Sequence, residues 1–315
     1  MNYGKRVILL FTALFLFIAV SGNLSAQERA EISSSREVIV YTFFVNYVVE
    51  PFPFPLFGFV NIAKGNHNTA HIGYVNWNSR DFSGFQAGFV NTVSGDLNGV
   101  QAGFVNTAAG YTRGVQAGFV NTAVREVQGL QLGFVNTSVQ KINGMQIGFI
   151  NYADSIENGI PIGFISIVRN GGYRAVEYGF TEFHPLGLGL KLGVEKFYTS
   201  IFVSYNPVEE NAQNHFSTGF GIGSIIPINP RFFFNMELNA YTSIDTENNQ
   251  LLSLTPLFGY KPNNNFSITL GPTLSWAHTP GDVESQRPVF KILEHTINEK
   301  NSIFFGVRAA LRIHF

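Results

Sequence analysis

The sequence predicts an all-β chain, a β-solenoid of 15-residue repeats followed by an antiparallel outer-membrane-type β-barrel of about eight strands. A fifteen-residue unit recurs eight times between Leu56 and Ile167, and a period of two replaces it after Gly172. The chain then ends on Phe315 in an amphipathic segment. Fixed short periods are typical of stacked repeats, and alternating segments of about ten residues are typical of barrel strands.

The N-terminus, residues 1–26, has the features of an export signal. Lys5 and Arg6 precede an apolar run, residues 7–20, and the small residue Ala26 marks the expected cleavage site. The run is shorter than the roughly 20 residues that a membrane-spanning helix needs. No cysteine follows it, so we expect no lipid attachment.

Residues 27–55 form a linker and an N-terminal strand. A polar stretch, residues 27–35, leads into a β-rich run, residues 36–49, which Pro51 and two further prolines close. Two interpretations stay open, a strand of the barrel or a cap that covers the edge of the first repeat.

Residues 56–171 form an eight-unit β repeat region. The units begin at Leu56, His71, Gln86, Gln101, Gln116, Gln131, Gln146 and Pro161. An aromatic residue recurs at Phe59, Tyr74, Phe89, Phe104, Phe119, Phe134, Phe149 and Phe164. In a solenoid, identical positions stack about 4.8 Å apart, so Asn bonds to Asn and we expect the Phe rings to fill the interior.

An antiparallel meander is the alternative for the repeats. It usually alternates short and long connections, whereas every connection here has the same length, which favours the solenoid. Apolar residues within the polar turns predict a second inward face, at Leu97, Val127, Ile142 and Ile156.

Two repeated amides are the candidate site residues. The Gln positions are Gln86, Gln101, Gln116, Gln131 and Gln146. The Asn positions are Asn91, Asn106, Asn121, Asn136 and Asn151, with earlier members at Asn61 and Asn76. We interpret both columns as structural ladders. The alternative for the Gln column is a polar stripe that binds a ligand.

Residues 172–315 predict the barrel. The expected strands lie near 174–183, 186–195, 197–206, 215–226, 231–242, 251–260, 264–277 and 302–315. Each alternates apolar and polar residues, as in Phe266, Ile268 and Leu270 against Ser267 and Thr269. Long and short connections alternate between the later strands, as in outer-membrane barrels. A soluble β-sandwich is the alternative, because alternation alone does not distinguish lipid from a protein core.

Composition excludes several functions. The chain has no cysteine, so disulfides, thiolate metal sites and a cysteine nucleophile are excluded. Formal net charge is −1, and removing Lys5 and Arg6 gives −1 − 2 = −3, so no basic field for nucleic acid exists. Aromatic residues make up 15% and charged residues only 13%. In an exported chain, this composition favours strands whose outward side chains meet lipid.

Catalytic, cofactor and metal motifs are absent from the sequence. There is no Gly-x-Ser-x-Gly elbow, no His-Glu-x-x-His motif and no phosphate-binding loop. His67 and His71 have metal-ligand spacing but lack a third ligand nearby. Ser204, Ser275 and His278 are the only basis for a hydrolase. We therefore predict no catalytic residue, no cofactor and no metal.

The unit Gly-x-Gln-x-Gly-Phe-x-Asn, as at residues 99–106, resembles the short repeats of bacterial surface and outer-membrane protein families. The resemblance covers residues 56–167 and implies a location, not an activity. Phe315 likewise resembles the terminal signal by which outer-membrane barrels are recognised for assembly. The implied partners are outer-membrane lipid and the barrel assembly machinery.

These features predict a non-enzymatic outer-membrane or cell-surface protein with a structural or binding role, anchored by its barrel. Its ligand is an unknown surface or periplasmic molecule, and we expect no nucleic acid. The alternative is a channel, in which the repeats join the later strands in one barrel of about sixteen. An outer-membrane hydrolase is the third hypothesis. An even strand count would place the repeats on the periplasmic side, provided that Glu195-Lys196 is a turn.

Overall fold

The structure is a computed structural model that describes residues 39–207, 216–244, 249–278, 288–289 and 293–315. The predicted signal peptide and polar linker therefore lie outside the described residues. Strands of the first part are β1 Val40–Tyr41, β2 Val45–Val49, β3 Leu56–Phe57, β4 Val60–Lys64, β5 Ala70–Ile72, β6 Val75–Asn78, β7 Phe82–Val93, β8 Leu97–Ala108, β9 Thr112–Ala123, β10 Val127–Leu132 and β11 Val135–Asn170. Strands of the second part are β12 Tyr173–Phe180, β13 Leu186–Val194, β14 Phe197–Tyr205, β15 Phe216–Pro227, β16 Phe232–Ser243, β17 Gln250–Asn263, β18 Phe266–His278, β19 Leu293–Asn298 and β20 Asn301–His314.

The repeats form a parallel β-solenoid. Residues of β7 pair with the residues fifteen positions later in β8, as Gln86 does with Gln101, and β8 pairs with β9 in the same way. The register continues through β10 into β11. The predicted solenoid is confirmed, and the antiparallel meander is wrong because every pairing between coils is parallel.

The N-terminal strand is the first rung of this stack. Val45–Val49 pairs in parallel with Val60–Lys64, again fifteen residues apart. The short strand β1 pairs with it antiparallel and lies at the end of the sheet. Of the two interpretations left open by the sequence, the barrel strand is wrong.

The Phe column lies outside the coils, and the expectation that it fills the interior is wrong. Phe104 is 45% exposed, whereas Gln101 and Asn106 are fully buried. In a straight strand two residues five apart point to opposite faces, so the chain must bend between them. The bend is visible one coil earlier, where the amides of Phe89 and Val90 both donate to one carbonyl. Gln and Asn then both point inwards, and the aromatic ring stands at the outer corner.

Apolar side chains from the turns complete the interior. Leu97, Val127 and Ile142 are fully buried, as expected for a second inward face. Ile156 is only partly buried against this cluster because it lies one residue before the register of Ile142. Gly99 precedes the buried Gln101 with φ of 142°, and a Cβ there would collide with the Gly84 carbonyl oxygen of the preceding coil. Glycine is thus required for the coils to approach each other.

The second part of the described chain is a closed antiparallel barrel. Strands β12 to β18 and β20 pair in sequence, and β12 returns to β20 with Ala175 opposite His314. The predicted barrel of about eight strands is confirmed, with boundaries within a few residues of those expected. Glu195 and Lys196 do form the turn between β13 and β14. The extra strand β19 pairs with the N-terminal half of β20.

The barrel wall separates apolar from polar side chains. On β18, Ile268, Leu270 and Trp276 are 39–57% exposed on the outside, whereas Ser267 and Thr269 are fully buried in the lumen. The soluble β-sandwich is therefore wrong, because the strands form one closed barrel with a polar interior. The barrel of about sixteen strands is also wrong, since the repeats form a separate sheet.

The last coil of the solenoid packs against the outer surface of the barrel wall. The hydroxyl of Thr199 donates to the carbonyl oxygen of Phe164 at 3.2 Å, and Thr199 is only 3% exposed although its neighbours in the strand point into the lumen. The Phe164 ring stacks on Phe220 of β15 at 5.3 Å between centroids. The stack of coils thus ends against the outside of β14 and β15.

Among the described residues, the structure contains no helix with the length and apolar character that crossing a membrane requires.

Deleting one whole coil, residues 101–115, should leave the protein folded. The deletion joins Val100 to Gln116, and both sides of the cut then stack in the same register as before, about 4.8 Å closer. We expect cooperative unfolding and the same folded migration on unboiled gels. Loss of both properties, while deletion of residues 101–130 keeps them, would contradict the parallel stack.

Candidate functional site

Inside the solenoid, a hydrogen-bonded column of Asn side chains runs the length of the coils. Each Nδ2 donates to the Oδ1 fifteen residues later at 2.7–2.9 Å, through Asn46, Asn61, Asn76, Asn91, Asn106, Asn121, Asn136 and Asn151. Ser166 ends the column. Asn91 also donates to the Ala102 carbonyl oxygen at 3.0 Å. Each buried amide is thereby satisfied, as burial requires.

The Gln column runs beside it in the opposite sense. The Nε2 of Gln101 donates back to Oε1 of Gln86 at 2.8 Å, and the same bond links Gln116, Gln131 and Gln146 to the coil before. The amide dipoles of the two columns therefore oppose each other, while each column is polarised along its length. These Gln side chains are 0–1% exposed, so a ligand outside the coil does not reach them.

The barrel lumen holds a charged network that sequence reasoning did not assemble. Glu237 accepts from Nζ of Lys191 at 2.7 Å and from Nη2 of Arg312 at 2.8 Å, and it also bonds the Tyr198 hydroxyl. Glu177 pairs with Arg308, Arg312 and Lys191. Three cations and two carboxylates give this network a net charge of 3 − 2 = +1. All five charged side chains are at most 5% exposed.

The segment between β12 and β13 folds into the mouth of the barrel. Glu182 is 1% exposed and accepts hydrogen bonds from the hydroxyls of Thr273 at 2.6 Å and Ser275 at 3.0 Å. Phe183 packs edge-on against Phe304 in the apolar cluster beside it. This segment and the charged network fill the lumen, which is typical of barrels of about eight strands.

The residues proposed for a hydrolase do not meet. His278 bonds through Nδ1 to Asn301 at 3.0 Å, and Ser275 bonds to Ser253 and Glu182. Ser204 donates to the backbone of Ser217 at 3.4 Å. The absence of an enzymatic activity stays a prediction.

His67 and His71 form a buried pair at the start of the Gln column. His71 occupies the Gln register, since it pairs with Gln86. Gln86 Nε2 donates to Nδ1 of His71 at 3.3 Å, so Nε2 of His71 donates to His67 Nδ1 at 2.8 Å. Burial, and secondarily the His67 charge, lower the pKa of His71 to about 3. Burial also lowers the pKa of His67. No group of three or more possible metal ligands occurs in the part of the chain that the structure describes.

Acid should destabilise the first coils through this pair. The unfolded imidazole has a pKa near 6.5, so from about pH 6.5 down to about pH 3 the unfolded chain binds more protons than the folded one. Each such imidazole then costs roughly 1.4 kcal/mol of stability per pH unit. Trp77 in the second coil reports this unfolding by fluorescence when Trp276, the other of the two tryptophans, is replaced by Phe.

The variant His71→Gln tests the assignment. Glutamine continues the column, so we expect folding at neutral pH and a smaller acid sensitivity, with His67 responsible for what remains. The exposed His295 provides the matched control, His295→Gln. Equal acid sensitivity in the His71→Gln variant and the unchanged protein would show that the buried pair is not the cause.

Phe315 lies at the end of β20, next to the first barrel strand. Phe315 is 62% exposed, and its ring centroid lies 5.8 Å from the guanidinium carbon of Arg174. Its amide donates to the Arg174 carbonyl oxygen at 3.4 Å. The terminal aromatic residue is therefore accessible at the end of the barrel where β12 begins.

Comparison with known proteins finds no matching family model, no matching curated protein and no matching solved structure.

Proposed function

We propose that this protein is a non-enzymatic outer-membrane protein with a structural or binding role, in which the closed barrel is the membrane anchor of the solenoid. The observation that carries this proposal is the polarity of the barrel wall. Its outward side chains are apolar and its lumen is polar and charged, which is the arrangement of barrels in lipid.

The size of the wall fits a membrane. Ten strand residues tilted about 45° rise roughly 23 Å, close to the apolar band of outer-membrane barrels. In water, a belt of exposed residues such as Leu188, Phe258 and Leu270 is unfavourable at about 25 cal/mol per Å², and each of these three is 53–57% exposed. Lipid removes that cost.

The filled lumen supports an anchor and not a channel. Lys191, Arg308 and Arg312 are locked to Glu177 and Glu237, and the Glu182 segment fills the mouth. An aqueous path would require these buried ion pairs to separate.

The connections suggest the orientation. The short turns at Glu195-Lys196, 228–231 and 264–265 lie at the same end of the barrel as Tyr173 and Phe315, while the connections at the other end are longer in sequence. Short turns of outer-membrane barrels face the periplasm. We therefore place the solenoid on the periplasmic side, where Phe315 is also within reach of the assembly machinery. The proposed ligand is a surface or periplasmic molecule.

Cell fractionation tests the proposal. We expect the protein in outer membranes, with unboiled and boiled samples migrating differently on gels because the barrel resists detergent. Protease added to intact cells should leave the repeats uncut. Recovery as a soluble periplasmic protein would overturn the proposal, and rapid loss of the repeats would reverse the orientation.

A further inference from the structure

The solenoid is charged on one side only. We number the positions of each coil from the first residue of its fifteen-residue unit, so that Gln101 is position 1 and Val115 is position 15. The eleven charged residues of the repeats all fall at positions 9–13. They are Lys64, Arg80, Asp81, Asp96, Arg113, Arg125, Glu126, Lys141, Asp154, Glu157 and Arg169. Several pair across coils, as Lys141 does with Glu126 and Glu157.

The opposite side is apolar, and we call it the aromatic face. It consists of positions 15, 2, 4 and 5, as in Val115, Ala117, Phe119 and Val120 and their equivalents fifteen residues apart. From Phe59 to Phe149, the rings at position 4 stack with their centroids 4.9–5.0 Å apart. Each of these aromatic residues is 40–60% exposed.

The aromatic face is large for an apolar surface in water. Eight coils at about 4.8 Å, and five residue steps of about 3.3 Å, give roughly 38 Å by 16 Å. That is about 600 Å², the upper end of the largest apolar patches on soluble monomers. No charged residue interrupts it.

The aromatic face is continuous with the outside of the barrel. The stack of rings ends with Phe164 on Phe220, inclined by 14°. Phe220 belongs to the apolar outer wall, since its neighbours Ile222 and Thr218 alternate with the lumen residues of β15. The stacked rings of position 4 are therefore exposed to the same medium as the barrel wall.

We propose that the aromatic face of the solenoid binds lipid, so that the coils lie along the periplasmic leaflet beside the barrel with acyl chains against the ring column and the charged positions 9–13 in water. This inference rests on the proposed outer-membrane location. It also changes the role of the repeats, because a solenoid held on the bilayer presents only its charged side to a periplasmic partner.

The charge distribution and the shared wall favour lipid as the occupant. Amphipathic helices with aromatic and aliphatic residues on one face lie in membrane interfaces with that face towards the acyl chains. The solenoid has the same one-sided distribution of apolar and charged residues. A partner protein that covered the whole aromatic face would reach Phe220 on the barrel wall. In the proposed location, that wall is covered by lipid.

Single cysteines test the inference cleanly because the chain has none of its own. Ala117→Cys lies at position 2 on the aromatic face, and its matched control Ala109→Cys lies at position 9 with the same partial exposure. Leu270→Cys on the barrel wall reports whether the barrel is in lipid. Each variant carries an NBD label in phospholipid vesicles and is exposed to nitroxide-labelled lipid or aqueous iodide.

We expect the labels at Ala117 and Leu270 to be quenched severalfold more by nitroxide lipid than the label at Ala109, with iodide giving the reverse order. Lipid quenching at Leu270 but not at Ala117 would overturn this inference and leave the proposed function intact. Protection of Ala117 from both quenchers would also overturn it, since protein would then cover the face. Absence of lipid quenching at Leu270 would overturn both.

Discussion

The variant Glu237→Gln should lose about 3–5 kcal/mol of barrel stability, the usual cost of removing one partner of a buried ion pair. Glu237 contacts Lys191 and Arg312 at 2.7 and 2.8 Å and Arg308 at 3.2 Å. Its removal leaves three buried cations facing one carboxylate. Denaturant unfolding in detergent, followed by the shift between folded and unfolded bands on unboiled gels, measures the loss.

The double variant Glu237→Gln with Lys191→Met separates charge balance from packing. It removes one charge of each sign, so we expect it to be more stable than Glu237→Gln alone. Glu195→Gln at an exposed turn is the matched control and should be neutral. A double variant no more stable than the single one would contradict the charge argument.

The variant Asn106→Leu should cost the solenoid roughly 2–4 kcal/mol, because it cuts the Asn column and leaves buried amide groups without partners. Asn106 accepts from Asn91 and donates to Asn121, both at 2.9 Å, and also to the Ala117 carbonyl oxygen. Hydrogen exchange should show faster opening of coils on both sides of the change.

Asn98→Leu makes the same chemical change at an exposed position. The Asn98 side chain accepts a long, exposed hydrogen bond from Arg113 at 3.4 Å. We therefore expect its replacement to lower the free energy of unfolding by less than about 0.5 kcal/mol. Equal losses for the two variants would show that the column adds nothing to stability.

The register of the coils and the positions of the barrel strands were both predictable because each leaves a regular period in the sequence. A fifteen-residue period allows every position to stack on its own kind, so Gln on Gln and Asn on Asn follow from the spacing alone. Barrel strands alternate strictly between lumen and exterior, and Phe266 to Trp276 alternate in the same way in the sequence.

The direction of the Phe column was not predictable from alternation. The odd spacing between Gln101 and Asn106 implies opposite faces, and only the bend at the Gly-Phe corner turns both inwards. The first rung was missed, although Asn46 lies fifteen residues before Asn61 and carries the repeat signal.

The charged network was only half visible in the sequence. In the sequence, Glu237, Arg308 and Arg312 alternate with apolar residues and so belong to the polar face of their strands. Their partners lie up to 135 residues away, as in the bond from Arg312 to Glu177, and barrel closure alone brings them together. The contact of Phe164 with Phe220 likewise depends on the three-dimensional path of the chain.

Fluorescence of Trp276 tests most directly whether the barrel wall is a lipid-facing surface. Trp276 lies on the outside of β18 and is 39% exposed, and the variant Trp77→Phe makes it the sole tryptophan. In vesicles of brominated phospholipid, we predict strong quenching of Trp276 and weak quenching by aqueous acrylamide. Strong acrylamide quenching with no effect of brominated lipid would contradict the membrane-anchored barrel.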